Sequence, residues 1–122
     1  MQKISIYHNP KCSKSRQALD IIIKKNIKPE IILYLDKSFS VNELKNIISK
    51  LGIQARDLLR KGEDEYKKNN LQNLKLKEDD LIKIMIKYPK LIERPIIIFD
   101  NKAIIGRPPE KIFDFLSSFK IT

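Results

Sequence analysis

A mixed α/β fold is what this 122-residue sequence predicts, on three observations. Apolar periodicity switches between two and 3.6 along the chain. Pro, Gly and Asn fall between the periodic stretches. Two short apolar runs near the end meet at Asp100-Asn101, a pair that tolerates the positive φ of a hairpin turn.

The first element, Lys3-Ile4-Ser5-Ile6-Tyr7, alternates as a strand and ends at His8-Asn9-Pro10. After Cys12 the period becomes helical: Ser13 is the expected N-cap, Ala18, Leu19, Ile22 and Ile23 the apolar face, and Asn26 the stop. Beyond Pro29, Ile31-Ile32-Leu33-Tyr34-Leu35 reads as a buried parallel strand. Ser40-Val41-Asn42-Glu43 has the form of a capping box, followed by the stripe Leu44, Ile47, Ile48 and Leu51 and the exit Gly52.

About 40 residues of helical character come next. Ala55 to Arg60 forms a short helix broken at Gly62, and Leu81, Ile82, Met85 and Ile86 stripe another that stops before Pro89. Ile96 to Phe99 and Ala103 to Ile105 make the hairpin. Gly106-Arg107-Pro108-Pro109 opens a last helix with Ile112, Phe113, Leu116 and Phe119 facing inward. The crossover rule makes the first two strands parallel, and the hairpin makes the last two antiparallel. That order is the thioredoxin-like (glutaredoxin-like) plan: a mixed four-stranded sheet with a helical insertion at about 53–92, before the third strand. The length suits one domain, 1–122.

Composition narrows the function. The net charge of +10 admits anionic partners, but the lysines are scattered and interrupted by Gly62-Glu63-Asp64-Glu65 and Glu78-Asp79-Asp80. There is no Trp, and the aromatics do not interleave with basic residues, so nucleic acid is not the expected partner. No stretch reaches the roughly 20 apolar residues of a membrane span, and MQKISIYHNP lacks the apolar core of a secretory signal. A single cysteine makes no intramolecular disulfide; a reducing cytoplasmic setting is expected.

That cysteine lies in HNPKCSKSR, four residues after the only histidine. A lone Cys is often a small buried hydrophobe, but Cys12 falls where a strand gives way to a helix. Unpaired N–H groups and the positive end of the helix dipole there favour a thiolate. Lys11, Lys14 and Arg16 add positive potential. His8 adds more if protonated or accepts the thiol proton, unless it merely caps a backbone carbonyl, and Ser15 is placed to donate a hydrogen bond to the sulfur. C-x-x-S lacks a resolving sulfur, so an adduct on Cys12 must be completed by a thiol from another molecule. No metal site is read. In this Lys-rich chain Arg60, Arg94 and Arg107 stand out, the last two at turns that the plan brings to the cysteine's end of the sheet. Guanidinium forks grip tetrahedral oxyanions in two places, which lysine cannot do. A thiolate beside such a cluster points to a small, doubly charged oxyanion.

Tyr7-His8-Asn9-Pro10-Lys11-Cys12, Leu59-Arg60, Glu93-Arg94-Pro95-Ile96 and Ile105-Gly106-Arg107-Pro108-Pro109-Glu110 together resemble the glutaredoxin-dependent arsenate reductase family, essentially end to end. The loop Cys12-Ser13-Lys14-Ser15-Arg16 is similar to its C-S-K-S-R branch and departs from the C-G-T-S-R form. The resemblance implies reduction of arsenate to arsenite: Cys12 attacks the arsenic, glutathione acts as co-substrate and glutaredoxin as partner, and no cofactor is bound. It also implies that Arg60, Arg94 and Arg107 hold the oxyanion, that His8 and Ser15 tune the thiolate, and that Pro95 is a cis-proline beside it.

Two other readings stand beside this one. A redox-related transcription regulator contacting RNA polymerase would sense oxidation through C-x-x-C, but Ser15 replaces the second cysteine. A general monothiol reductase of glutathione mixed disulfides would need no arginine cluster.

Overall fold

The computed structural model describes residues 4–36 and 39–118. Lys3 and Phe119, expected in the first strand and last helix, lie outside the described residues. The chain forms two compact units, Met1–Tyr34 with Arg94–Thr122, and Leu35–Glu93.

In the first unit, β1 (Ile4–Tyr7), β2 (Glu30–Ile32), β3 (Ile96–Phe99) and β4 (Lys102–Ile105) form one sheet in the order β2-β1-β3-β4. β1 pairs in parallel with β2 and antiparallel with β3, which pairs antiparallel with β4. This is the mixed sheet expected. The turn between β3 and β4 has Asp100 at φ 57, the left-handed region that Asn and Asp tolerate.

Helices α1 (Ser13–Lys24) and α5 (Glu110–Ser118) pack together. One continuous core joins Ile4 and Ile6 of β1, Ile97 and Phe99 of β3, Ala18 and Ile22 of α1, and Ile112, Phe115 and Leu116 of α5. The alternate residues of β1 and β3 supply one sheet face because side chains switch sides at each step. Each fully buried Ile or Leu here is worth roughly 1.5–3 kcal/mol relative to exposure.

Four expectations are corrected. The Ile31–Leu35 run does not form a buried strand: only Glu30–Ile32 pairs, at the sheet edge, with Ile31 46% exposed. The chain turns at Tyr34–Asp36, so only β1 supports the run. The N-cap of α1 is Cys12, not Ser13, and this register turns Ile23 outward while Ala18 and Ile22 stay inside. In α5 the inward aromatic is Phe115; Phe113 is 44% exposed, with the Lys25 ammonium over its ring. Ala55–Leu58 is a 3₁₀ turn, and the chain then extends so that Leu59 bridges Ile92.

The second unit contains α2 (Val41–Leu51), α3 (Asp64–Lys68) and α4 (Glu78–Lys87), with 3₁₀ turns at Ala55–Leu58 and Pro89–Leu91. The expected insertion at about 53–92 lies within it, together with α2. The Ser40–Glu43 capping box forms and Gly52 closes α2 at φ 69. Buried Leu44, Ile47 and Ile48 lie on α2, which packs against α4, where Leu81, Ile82 and Met85 are buried. Among the described residues no helix is long and apolar enough to cross a membrane.

Candidate active site

Strand register assembles the site in the first unit. Tyr7, the last residue of β1, stands opposite Ile32, the last of β2, and Ile96, the first of β3; Ile96 in turn opposes Ile105, the last of β4. The loop before α1, the turn after β2, Arg94-Pro95 and Gly106-Arg107 therefore all leave the sheet at one end.

The loop carrying Cys12 is tied to itself by short hydrogen bonds. The Cys12 N–H donates to the Asn9 carbonyl at 3.0 Å, and the Asn9 side-chain oxygen accepts from the Lys11 N–H at 3.0 Å. Ser15, fully buried, meets His8 Nδ1 at 2.7 Å and accepts from the Asn9 N–H at 3.0 Å. Arg16 donates to the Pro10 carbonyl at 2.9 Å. These contacts hold Cys12 as the extended N-cap of α1. No side-chain hydrogen bond caps α1 and no acidic residue occupies its first turn, so its leading N–H groups are left to act on the sulfur.

Arg107 points its Nη2 at the Cys12 sulfur from 3.8 Å, and its buried Nε has no acceptor among the described residues. The Arg94 guanidinium hydrogen-bonds the same sulfur. Burial alone would push the Cys12 thiol up. The Ser15 N–H, the Arg94 guanidinium and the Lys14 N–H together outweigh that effect and hold the thiol below its ordinary value. Burial likewise works against the charge of Arg94, but its hydrogen bond to Cys12 and the neighbouring Tyr34 raise its pKa further, so it stays charged. Chemically, this is a nucleophilic sulfur flanked by two permanent cations.

Histidine contributes differently. Burial, and then the positive charge of Arg16, lower the His8 pKa, leaving the ring neutral at pH 7. Its contact is the Ser15 hydroxyl, and it is the Ser15 N–H that acts on the sulfur. Pro95 is buried, with cis peptides at Arg94-Pro95 and Arg107-Pro108. Its carbonyl accepts from the Gly106 N–H at 2.8 Å, and a Cβ at Gly106 would stand 3.1 Å from the Pro95 ring. Arg60 is held within the second unit: its N–H donates to the Leu91 carbonyl at 2.7 Å and its Nε stands 3.8 Å from Glu93.

Of the residues singled out in the sequence, the structure brings Cys12, Arg94 and Arg107 together and locks His8 to Ser15. Asn9 was missed. Its signal was the Asn-Pro pair, which favours a side-chain-closed turn.

Residues 7–115 match the ArsC family. The chain is 49% identical to the arsenate reductase of Haemophilus influenzae over 93% of this chain and 98% of that one. It is 42% identical to the protein YfgD of Escherichia coli, over 94% and 98%. The structure of the arsenate reductase from Vibrio cholerae superposes with a TM-score of 0.90, at 44% identity, covering 93% of this chain and 97% of that one. Cysteine loop, arginine turns and fold coincide with a match over nearly the whole length, and the chain belongs to the ArsC family.

Proposed function

We propose that this protein reduces arsenate to arsenite, with the Cys12 thiolate as nucleophile and external thiols as reductant. The observation that carries the reading is the lowered Cys12 thiol between Arg94 and Arg107, with the buried Nε of Arg107 left for an anion. Relatives named arsenate reductases, matched over nearly their full length, support the substrate.

The chemistry balances with two thiols per turnover. Cys12 sulfur attacks As(V), an As–S bond forms, and an As–O bond breaks as hydroxide leaves and takes a proton to become water. Arg94 and Arg107 offset the negative charge that thiolate and oxyanion bring together. Glutathione condenses on the arsenic with loss of a second water. A further thiolate, from glutaredoxin, attacks the glutathione sulfur, and the As–S electron pair falls back on arsenic, making As(III). Water then takes the place of Cys12 on arsenic, releasing arsenite and the thiol. Two thiols lose two electrons to become a disulfide, and arsenic gains them. His8 and Ser15 act through the loop, the neutral ring holding the serine whose N–H meets the sulfur. A soluble protein of the reducing cytoplasm fits this dependence on free thiol.

The test is steady-state arsenate reduction with glutathione and glutaredoxin. Turnover that disappears in Cys12→Ser and when either thiol source is omitted is expected. Turnover that survives Cys12→Ser, or its absence with all components present, refutes the reading.

A further inference from the structure

The cysteine loop carries more positive charge than an oxyanion held by Arg94 and Arg107 requires. From His8 to Leu19 there is no acidic residue, while Lys11, Lys14 and Arg16 lie on either side of Cys12. The first carboxylate along α1, Asp20, is already bound to Lys24 at 2.9 Å. Arg16 turns back to the Pro10 carbonyl at 2.9 Å. Lys11 and Lys14 are exposed, and among the described residues neither ammonium meets a carboxylate. Their backbone is fixed beside the half-buried sulfur. The Lys11 N–H donates to the Asn9 side chain at 3.0 Å, and Lys14 stands in the first turn of α1 between exposed Ser13 and fully buried Ser15.

We propose that Lys11 and Lys14 form a docking rim for the second reactant and select a small thiol that bears carboxylates of its own. Two anions meet in the step after arsenate binds: the oxyanion adduct on Cys12 and the incoming thiol. Arg94 and Arg107 offset the charge of the adduct, so the newcomer needs cations that the adduct has not engaged. Unpaired ammonium groups at the rim lower the repulsion and concentrate anionic thiols over neutral ones. Residue type agrees with this division. A guanidinium fork holds an oxyanion in fixed geometry, whereas a lysine ammonium is a hydrated point charge on a flexible stem. The second suits a reactant that comes and goes in each turnover. This inference rests on the reading that an external thiol completes the Cys12 adduct, but can be judged apart from arsenate.

The experiment uses the full chain with Cys12 converted to its 2-thiopyridyl disulfide. An incoming thiolate bonds to the Cys12 sulfur, the S–S bond breaks, and 2-thiopyridone leaves with the electron pair and is read by absorbance. Glutathione is compared with its diethyl ester, which keeps the thiol and has no free carboxylate. The ratio of the two rate constants is the readout, because changes in the reactivity and access of Cys12 cancel in it. In Lys11→Gln/Lys14→Gln the ratio is expected to fall about fivefold from wild type at low ionic strength. The difference should nearly vanish at about 1 M salt, where the screening length is about 3 Å. Lys24→Gln/Lys25→Gln removes the same charge at the other end of α1 and is expected to leave the ratio unchanged. A ratio unmoved in Lys11→Gln/Lys14→Gln, or lowered equally by Lys24→Gln/Lys25→Gln, overturns the proposal. A wild-type protein inactive on arsenate would defeat the substrate reading and leave the rim to be decided by this ratio.

Discussion

Replacing Ser15 by Ala separates the two things this residue does. The hydroxyl is fully buried and serves two partners, His8 Nδ1 at 2.7 Å and the Asn9 N–H at 3.0 Å. Deleting it leaves a buried backbone donor and a buried ring nitrogen unsatisfied. Each such group costs about 1–3 kcal/mol, so a loss of roughly 2–6 kcal/mol is expected. Alanine's better helix propensity offsets a little of this loss, while the small gap it leaves adds a little to it. Urea unfolding at pH 7.5 reads the difference as a lower midpoint at unchanged slope. The Ser15 N–H stays in place, so the thiol should remain below its ordinary value in folded Ser15→Ala. A loss under about 0.5 kcal/mol would refute the buried lock, since that is the size of an ordinary surface change. A thiol returned to its free value in folded protein would refute the assignment of the sulfur's donor to the backbone.

Three further outcomes follow from the same geometry. Arg107→Ala removes the guanidinium whose Nη2 stands 3.8 Å from the sulfur; kcat/KM for arsenate should fall at least tenfold, while the melting temperature changes little, as scanning calorimetry can check. His8 has a folded pKa below its unfolded value, so the unfolded chain binds more protons in between. Stability is therefore highest above about pH 6.5 and declines as pH falls from there toward the folded pKa, a slope that urea unfolding of His8→Asn should lack. Gly106→Ala places a methyl 3.1 Å from the Pro95 ring and 3.2 Å from Ile112, which should cost about 1–3 kcal/mol by urea unfolding and lower activity by disturbing Arg94-Pro95.

Local signals were legible wherever they were also the ones that decide the structure. The Ser40–Glu43 box, the stop at Asn26 (φ 61) and the turn at Asp100 each rest on contacts within a few residues, and each formed. The cysteine loop is legible for the same reason: a strand, an Asn-Pro turn and a helix start follow one another within a short stretch, Ile4 to Ser13. Where two apolar patterns competed, sequence did not decide. Phe113 and Phe115 both fit beside Ile112 and Leu116, and it is packing against the sheet that selects Phe115. The Ile31–Leu35 run has the composition of a central strand, but its place at the edge beside β1 is set by the whole topology. Tyr34 looks like part of that strand, and its burial in the turn after β2 has no local signature.

The proposed reaction depends most on the state of one sulfur. Titration of Cys12 by thiolate absorbance, with Cys12→Ser as the blank, is the most direct measure of it. Ionisation clearly below the ~8.5 of a free cysteine, with alkylation slowed by arsenate, is the predicted result. A midpoint at or above that of the free amino acid, with alkylation indifferent to arsenate, would contradict it.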